Sequence, residues 1–356
     1  MRIPYSLILA VAALVLTWVL TPAVMALTRR TGALDRPGPR RVHAAPVPTL
    51  GGLAFALAVL GVIWGAYLVP GPAHLLEPRP ILGLTLATLP ILALGILDDL
   101  RGAPPLLKLA VQVLAALILH GFGYGVPIIT NPFGAAFQAG ALNLPLTILW
   151  VVVVINAINL IDGLDGLAAG VVLIAASTLW LAARLHDDFY VLFLCSPLIG
   201  AMLGFLRFNF PPARVFMGDT GSHFLGLLLA AISLLENRKG TATVTLLFPL
   251  VALGVPIADS VLAFLRRALK GQPVFRADSE HIHHRLLRLG LSARNAVLVL
   301  WILSGYLGLA AIVLSALPRV YAWLMVVLLA LGLVFAFEVL EFIDRRLADR
   351  DRHDPR

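Results

Sequence analysis

Asn156-Ala-Ile-Asn-Leu-Ile-Asp-Gly-Leu-Asp-Gly-Leu-Ala-Ala-Gly170 places Asn156, Asn159, Asp162 and Asp165 at intervals of three residues. It lies between two apolar runs, Leu146–Ile155 and Leu167–Ala183. On a helix, that interval puts consecutive members on one face, where they can act together. Gly163 and Gly166 interrupt the helix and let backbone approach a ligand. A charged side chain at the centre of a bilayer costs about 2.5–3.5 kcal/mol on insertion scales. Two carboxylates and two amides between candidate membrane helices therefore belong at a water boundary, or they coordinate something.

The surrounding composition supports that setting. Of 356 residues, 60% are hydrophobic and 13% are charged. Repeated apolar runs of about 20 residues mark membrane helices. Eleven candidate spans emerge, at 4–27, 50–69, 80–97, 106–124, 144–161, 167–184, 190–207, 220–235, 243–265, 296–317 and 320–343. The expected fold class is an all-α polytopic integral membrane protein, a single transmembrane unit over 1–356 with no internal repeat. Ile3–Leu27 is too long for a signal-peptide core and reads as a retained first span. A single cysteine, Cys195, excludes an internal disulfide and a cysteine metal cluster. The net charge of +8 would suit nucleic acid. In a membrane protein, arginines serve instead as topology signals and headgroup contacts, so no nucleic-acid partner is expected.

Basic residues alternate between connections. The odd-numbered connections and the basic tail 344–356 hold about 21 of the 27 Lys and Arg, and the others about six. The positive-inside rule places the tail in the cytoplasm and the N-terminus outside, as an odd span count requires. Asp98, Asp99, Asp162, Asp165, Asp219 and the 266–295 loop then share the cytoplasmic face. On the outer side, Tyr124–Asn143 carries turn residues around Val-Pro-Ile-Ile and Ala-Phe-Gln segments, which predicts a small hairpin.

Each polar motif has a structural and a chemical reading. Asp98 and Asp99 end the third span. Helix neighbours point apart, so one can meet a ligand while the other meets Arg101 or Lys108. A solvated helix end explains them less well, because acids at a C-terminus oppose the helix dipole. Lys108, four residues before Gln112, can snorkel to the surface or pair with phosphate. Phe208–Ser222 combines a stiff Pro-Pro, aromatic faces able to stack on a base, Asn209 for base-edge hydrogen bonds, and Gly218-Asp219-Thr220-Gly221 opening a helix. Asp219 suits an N-cap, and equally one hard oxygen ligand for Mg²⁺. Asp259 is expected to pair structurally with Arg266-Arg267. In Asp278-Ser-Glu-His-Ile-His-His-Arg285, His281, His283 and His284 look superficially like a zinc site, but phosphate contact by imidazole and Arg285 fits better. Arg40, Arg41 and His43 of the first inside loop can meet a phosphate or act as topology anchors. Gly51-Gly52 permits close backbone approach at the next helix start. Carboxylates, amides and cations gathered on one membrane face form the kit of phosphoryl transfer, with one lipid and one water-soluble substrate.

Asp98-Asp99, Asn156–Gly170, Asn209–Gly221 and His281–Arg285, in that order over roughly residues 20–295, resemble the polyprenyl-phosphate N-acetylhexosamine-1-phosphate transferases. The resemblance implies transfer of a sugar-1-phosphate from a UDP-sugar to a polyprenyl phosphate, releasing UMP, with Mg²⁺ or Mn²⁺. It implies metal contacts at Asn159 and Asp219, uracil-side contacts at Asp165 and Asn209, and Lys108 near the phosphates. Asp98 matches a proposed base or nucleophile, while Asp99, Asp162, His281, His283, His284 and Arg285 line the same site and His43 adds a substrate contact. His-Ile-His-His-Arg-Leu and His43 resemble the WecA/TagO branch, whose donor is UDP-N-acetylglucosamine, more than the MurNAc-pentapeptide branch. A bacterial inner membrane with an active site facing the cytoplasm follows from the resemblance, and a homodimer stays open. A transporter, the rival from another class, would need acids near the midplane within inverted repeats.

Overall fold

The computed structural model describes residues 3–35, 46–129, 137–236, 247–269 and 281–353. The described helices, in order, are α1 (Ile3–Thr31), α2 (Gly51–Leu68), α3 (Pro78–Arg101), α4 (Pro105–Gly121), α5 (Asn143–Ile161), α6 (Leu167–Leu185), α7 (Phe189–Asn209), α8 (Gly218–Glu236), α9 (Leu247–Ala252), α10 (Gly254–Leu269), α11 (Ile282–Arg288), α12 (Ala293–Ala316) and α13 (Arg319–His353). Two short antiparallel pairs accompany them. β1 (Leu34–Asp35) pairs with β2 (Val47–Pro48), and β3 (Ile128–Ile129) with β4 (Phe137–Gln138). The second pair is the hairpin expected within 124–143.

Helix boundaries follow local chemistry. Proline opens α3 and α4, where a missing N–H costs nothing and the fixed φ suits the first turn. The Asp188 carboxylate accepts from the Tyr190 and Val191 amides and caps α7. Ser292 caps α12 through the Asn295 amide. Buried hydroxyls of Thr21, Thr88 and Ser196 donate to carbonyls four residues back, which removes unsatisfied polar groups from the apolar interior.

Eight of these helices are long and apolar enough to cross a membrane, and shorter apolar helices occupy Pro105–Gly121, Gly254–Phe264 and Val320–Ala336. The protein is an all-α, multi-pass membrane protein. The expected span 243–265 departs from the pattern. Its described part is two consecutive helices, α9 and α10, flanking Leu253. Gly254 lowers helix propensity there, and Pro256 has no N–H to continue the ladder. α13 also outruns the expected 320–343, continuing into the charged tail as far as His353.

α8 is the most enclosed of the eight long helices and packs against α2, α3, α5, α6 and α7. Small residues permit this. A Cβ at Gly52 of α2 would collide with the Gly221 backbone, and one at Gly95 of α3 with the Thr220 backbone. Such close approach is how helices associate where lipid offers no hydrophobic drive. Trp150 of α5 donates to the Ser233 hydroxyl of α8 at 2.7 Å. Large exposed apolar side chains such as Trp18, Leu309 and Phe335 lie on the outer helices, where lipid would cover them.

Gly95→Val should therefore force α3 away from α8 and destabilise the protein by about 1–3 kcal/mol, as overpacked cores do. Gly65→Ala, where an added Cβ meets nothing within 4 Å, should leave stability unchanged or slightly raised. Thermal unfolding in detergent distinguishes the two variants.

Candidate active site

The site forms where the end of α3, the start of α4, the end of α5 and the start of α8 meet. Its anchor is Asp99. One oxygen accepts the Asp219 amide at 2.8 Å; the other accepts the Thr220 amide at 3.1 Å and the Thr220 hydroxyl at 2.6 Å. The first amides of a helix lack intrahelical partners, so Asp99 caps α8 from a different helix. Asp219 itself stands in the first turn rather than at the cap, so of its two readings from sequence the N-cap is not realised. Gly218 makes the entry with φ +67°, and a Cβ there would strike the Asp99 carboxylate and the Thr49 carbonyl.

Asp98 points the other way. Its Oδ1 accepts the Ala103 amide at 2.6 Å, and its Oδ2 meets Lys108 Nζ at 2.7 Å. Lys108 Nζ also reaches Asp219 Oδ2 at 2.6 Å. Lys108 thus does not snorkel away; its ammonium bridges two carboxylates from α3 and α8. All three side chains are partly exposed. The Asn159 amide donates to Asp219 Oδ1 at 3.0 Å and to the Ser222 hydroxyl at 2.9 Å. Behind it, Asn156 donates to Gln112 Oε1 at 2.8 Å and ties α5 to α4.

The helical row in the deciding stretch stops early. α5 ends at Ile161, so Asn156 and Asn159 lie on the helix, whereas Asp162 and Asp165 stand in the turn leading to α6. Gly166, at φ +73°, completes that turn. Part of Asp162 reaches the surface. Desolvation of its carboxyl, followed by the charges of Asp219, Asp99 and Asp165, nonetheless pushes it well above the usual carboxylate range. Asp165 Oδ2 accepts the Ala213 amide at 2.8 Å. Asn209 is buried, accepting the Gly166 amide at 3.0 Å and donating to the Val215 carbonyl at 2.8 Å. These two bonds engage one lone pair and one N–H of the carboxamide and tie the 166 turn to the loop before α8. Phe210 is likewise engaged, its ring 5.7 Å from Trp301 and 5.8 Å from the Arg294 guanidinium. The first-loop segment joins the same wall: Phe216 exchanges backbone hydrogen bonds with Pro48 and Gly51, and the Gly52 amide donates to Met217 O at 2.9 Å.

The histidine segment closes a further side. His281, His283 and Arg285 are buried. His283 Nε2 rests against Gly163, where a Cβ would collide with the imidazole. Its ring lies 4.3 Å from His284 and 5.8 Å, parallel, from His281. Burial first, then the neighbouring His284 and His281, bring the His283 pKa down to about 3. Asp259 was expected to pair with Arg266-Arg267; its carboxylate accepts from His281 Nδ1 at 3.0 Å and the Ile282 amide at 3.1 Å, and the Arg266 side chain lies outside what is described. Among the described residues, no three His, Cys, Asp or Glu side chains converge as metal ligands. His43 lies outside the described residues.

Three neighbours of Asp219 were not singled out from sequence. Thr220 donates to the Asp99 carboxylate, Ser222 accepts from Asn159, and buried His223 sets Nδ1 2.8 Å from the Asp219 carbonyl. All three belong to the Gly218-Asp219-Thr220-Gly221-Ser222-His223 run, whose helical spacing was their only signal.

Residues 81–237, which include Asp98, Lys108, Asn159 and Asp219, match glycosyl transferase family 4. A probable undecaprenyl-phosphate N-acetylglucosaminyl 1-phosphate transferase of Bacillus subtilis (strain 168) is 38% identical over 307 residues, covering 86% of this chain and 84% of that protein. The chain belongs to glycosyl transferase family 4. Within the family, a decaprenyl-phosphate N-acetylglucosaminephosphotransferase of Mycobacterium tuberculosis (strain ATCC 25618 / H37Rv) is 34% identical over 327 residues, covering 85% of this chain and 81% of its own. A phospho-N-acetylmuramoyl-pentapeptide-transferase of Streptococcus uberis (strain ATCC BAA-854 / 0140J) is 35% identical over 263 residues, 70% of this chain and 77% of that one.

Buried His283 should make the stability of this family 4 chain acid-sensitive. Unfolded, the imidazole binds a proton near pH 6.5; folded, it resists until about pH 3. The unfolded state therefore takes up the proton first, and stability should fall as pH drops through that window. His283→Gln should flatten the difference, measured as melting temperature against pH beside the parent protein.

Proposed function

We propose that this chain transfers N-acetylglucosamine-1-phosphate from UDP-N-acetylglucosamine to undecaprenyl or a similar polyprenyl phosphate, releasing UMP. The product, a polyprenyl-diphospho-sugar, would initiate an envelope polysaccharide at the cytoplasmic face of a bacterial inner membrane. The observation that carries this is the Lys108 ammonium between Asp98 and Asp219, beside Asn159, at the ends of apolar helices. The GlcNAc-phosphate transferases of Bacillus and Mycobacterium support the choice of donor, as does the His-Ile-His-His sequence at 281–284. The excess of basic residues in the connections on this side supports the orientation.

The donor set suits Mg²⁺, with Mn²⁺ as an equivalent. Asp219 offers a carboxylate and Asp98 a second one nearby, both hard oxygens; Asn159 turns its NH₂ to Asp219 Oδ1 and would add an amide oxygen only with its carboxamide reversed. The two acids already converge on a cation, the Lys108 ammonium, at 2.7 and 2.6 Å. Mg²⁺ takes one or two protein carboxylates and fills its shell from water and phosphate. When bound, such an ion neutralises diphosphate charge and polarises the phosphoryl oxygen.

The chain's own groups do the rest. Lys108 presents a point charge to the phosphates, and Asp98 holds it in position. A lipid phosphate monoester is already largely ionised near neutral pH, so it can attack the sugar-linked phosphorus directly. A P–O bond to the lipid forms, the P–O bond to UMP breaks, and UMP leaves with the electron pair. Asp98 then orients more than it deprotonates. The rigid turn at 162–166 and the loop at 208–217 form the wall against which the nucleotide would lie. Arg285 of the histidine segment supplies a further positive charge, and the imidazoles beside it supply neutral hydrogen-bonding groups.

The test is incubation of the purified protein with undecaprenyl phosphate, Mg²⁺ and labelled UDP-sugars. Lipid-linked label and UMP are expected from UDP-N-acetylglucosamine, with kcat lowered about 10²–10³-fold in Lys108→Gln, as for loss of one transition-state donor. Product from UDP-MurNAc-pentapeptide alone would move the chain to the peptidoglycan branch. Folded protein that uses no donor would overturn the transferase assignment.

A further inference from the structure

Asp259 lies on α10, outside the acids and amides assigned to substrate and metal. It is 3% exposed, so its carboxylate is removed from water and must be satisfied internally. Two donors serve it. Ile282, the first residue of α11, gives its amide to Oδ1 at 3.1 Å, and His281 gives Nδ1 to Oδ2 at 3.0 Å. The first bond caps a short helix from outside, as Asp99 does for α8. The second has a chemical consequence. A carboxylate offers only acceptors, so the imidazole nitrogen facing it carries the hydrogen. Nε2 is then the nitrogen left for other partners, and no hydrogen bond to it is described.

We infer that Asp259 is a positioning residue that holds His281 as the Nδ1–H tautomer, with the Nε2 lone pair directed to accept from a hydroxyl or amide N–H of the substrate sugar. The inference deepens the proposed transferase function and rests on it for the identity of the substrate. Three observations converge on it. Asp259 and His281 are both buried, which fixes the pair against rotation. The His281 ring stacks parallel to His283, at 5.8 Å between centroids. His283 in turn packs on Gly163, in the turn that bears Asp162 and Asp165. A shift of α11 would therefore move the imidazole relative to the acid-bearing turn. The carboxylate behind His281 locks the ring plane and the tautomer together, as outer partners do for histidines in metal sites.

The experiment uses the full chain labelled with ¹⁵N-histidine, in nanodiscs. Two-bond ¹H–¹⁵N couplings report the tautomer, and loss of one signal set in His281→Gln assigns it. In the parent protein His281 should carry hydrogen on Nδ1. In Asp259→Asn, the carboxamide NH₂ can face the ring and donate to Nδ1, so the hydrogen should move to Nε2. Transfer of sugar-1-phosphate should then lose about 10–100-fold in kcat, the usual cost of removing an outer partner, with KM for UDP-N-acetylglucosamine little changed. Asp259→Glu, which keeps the carboxylate, should recover the Nδ1–H signature and part of kcat. An Nε2–H tautomer in the parent protein, or an unchanged tautomer in Asp259→Asn, overturns the inference whatever the activity. If the Asn variant fails to fold, the parent and Glu spectra decide. A parent protein with the Nδ1–H tautomer that uses no UDP-sugar upholds the positioning role and overturns the transferase assignment alone.

Discussion

A lysine ammonium held between two carboxylates from distant parts of the chain is the constraint on which the site depends. Asp98 ends α3, Lys108 begins α4 and Asp219 begins α8, and the contacts at 2.7 and 2.6 Å draw all three to one point. Such a cluster would be costly in the middle of a bilayer. At helix ends it is partly hydrated, and the charges remain available to a ligand. Asp219 also lies in the first turn of α8, where the positive end of the helix dipole favours a negative group.

That cluster forms only because apolar packing places the helix ends correctly. α8 is enclosed by five neighbours, and Gly52 and Gly95 let α2 and α3 approach its first turn closely. Asp99 then spans the remaining gap and satisfies the free amides of α8. Packing, capping and charge placement thus meet over four residues, 218–221. Farther out, Asp165 and Asn209 fasten the 162–166 turn to the loop before α8, so the wall beside the acids is built from backbone held by polar side chains.

Much of this was legible from residue chemistry. Apolar runs of the right length marked the helices, Gly-Pro-Asn punctuation marked the hairpin at 128–138, and acids at span ends marked the site. Adjacent Asp98 and Asp99 had to point apart, and they do. Their partners were not legible, because Asp99 reaches residues 120 and 121 positions away, and only the approach of α3 to α8 decides that. Asp259 illustrates the same limit. Arg266 and Arg267 are nearer in sequence, but α11 lies so that His281 Nδ1 and the Ile282 amide donate to the carboxylate. Asn209 was legible by its type and setting, but the two backbone groups it meets, at 166 and 215, follow from the loop's path. The break around Leu253 was signalled by Gly254 and Pro256, yet hydropathy averaged over a span hides so local an effect.

The acid cluster is held to exist so that a divalent cation and phosphates can replace the internal pairing of Lys108. The most direct measurement is Mn²⁺ binding to the purified full-length chain, followed by electron paramagnetic resonance of the free ion. Saturable binding that is weakened at least about tenfold in Asp219→Ala is predicted, a loss typical of disturbed metal sites. Equal binding by the parent protein and Asp219→Ala would contradict it.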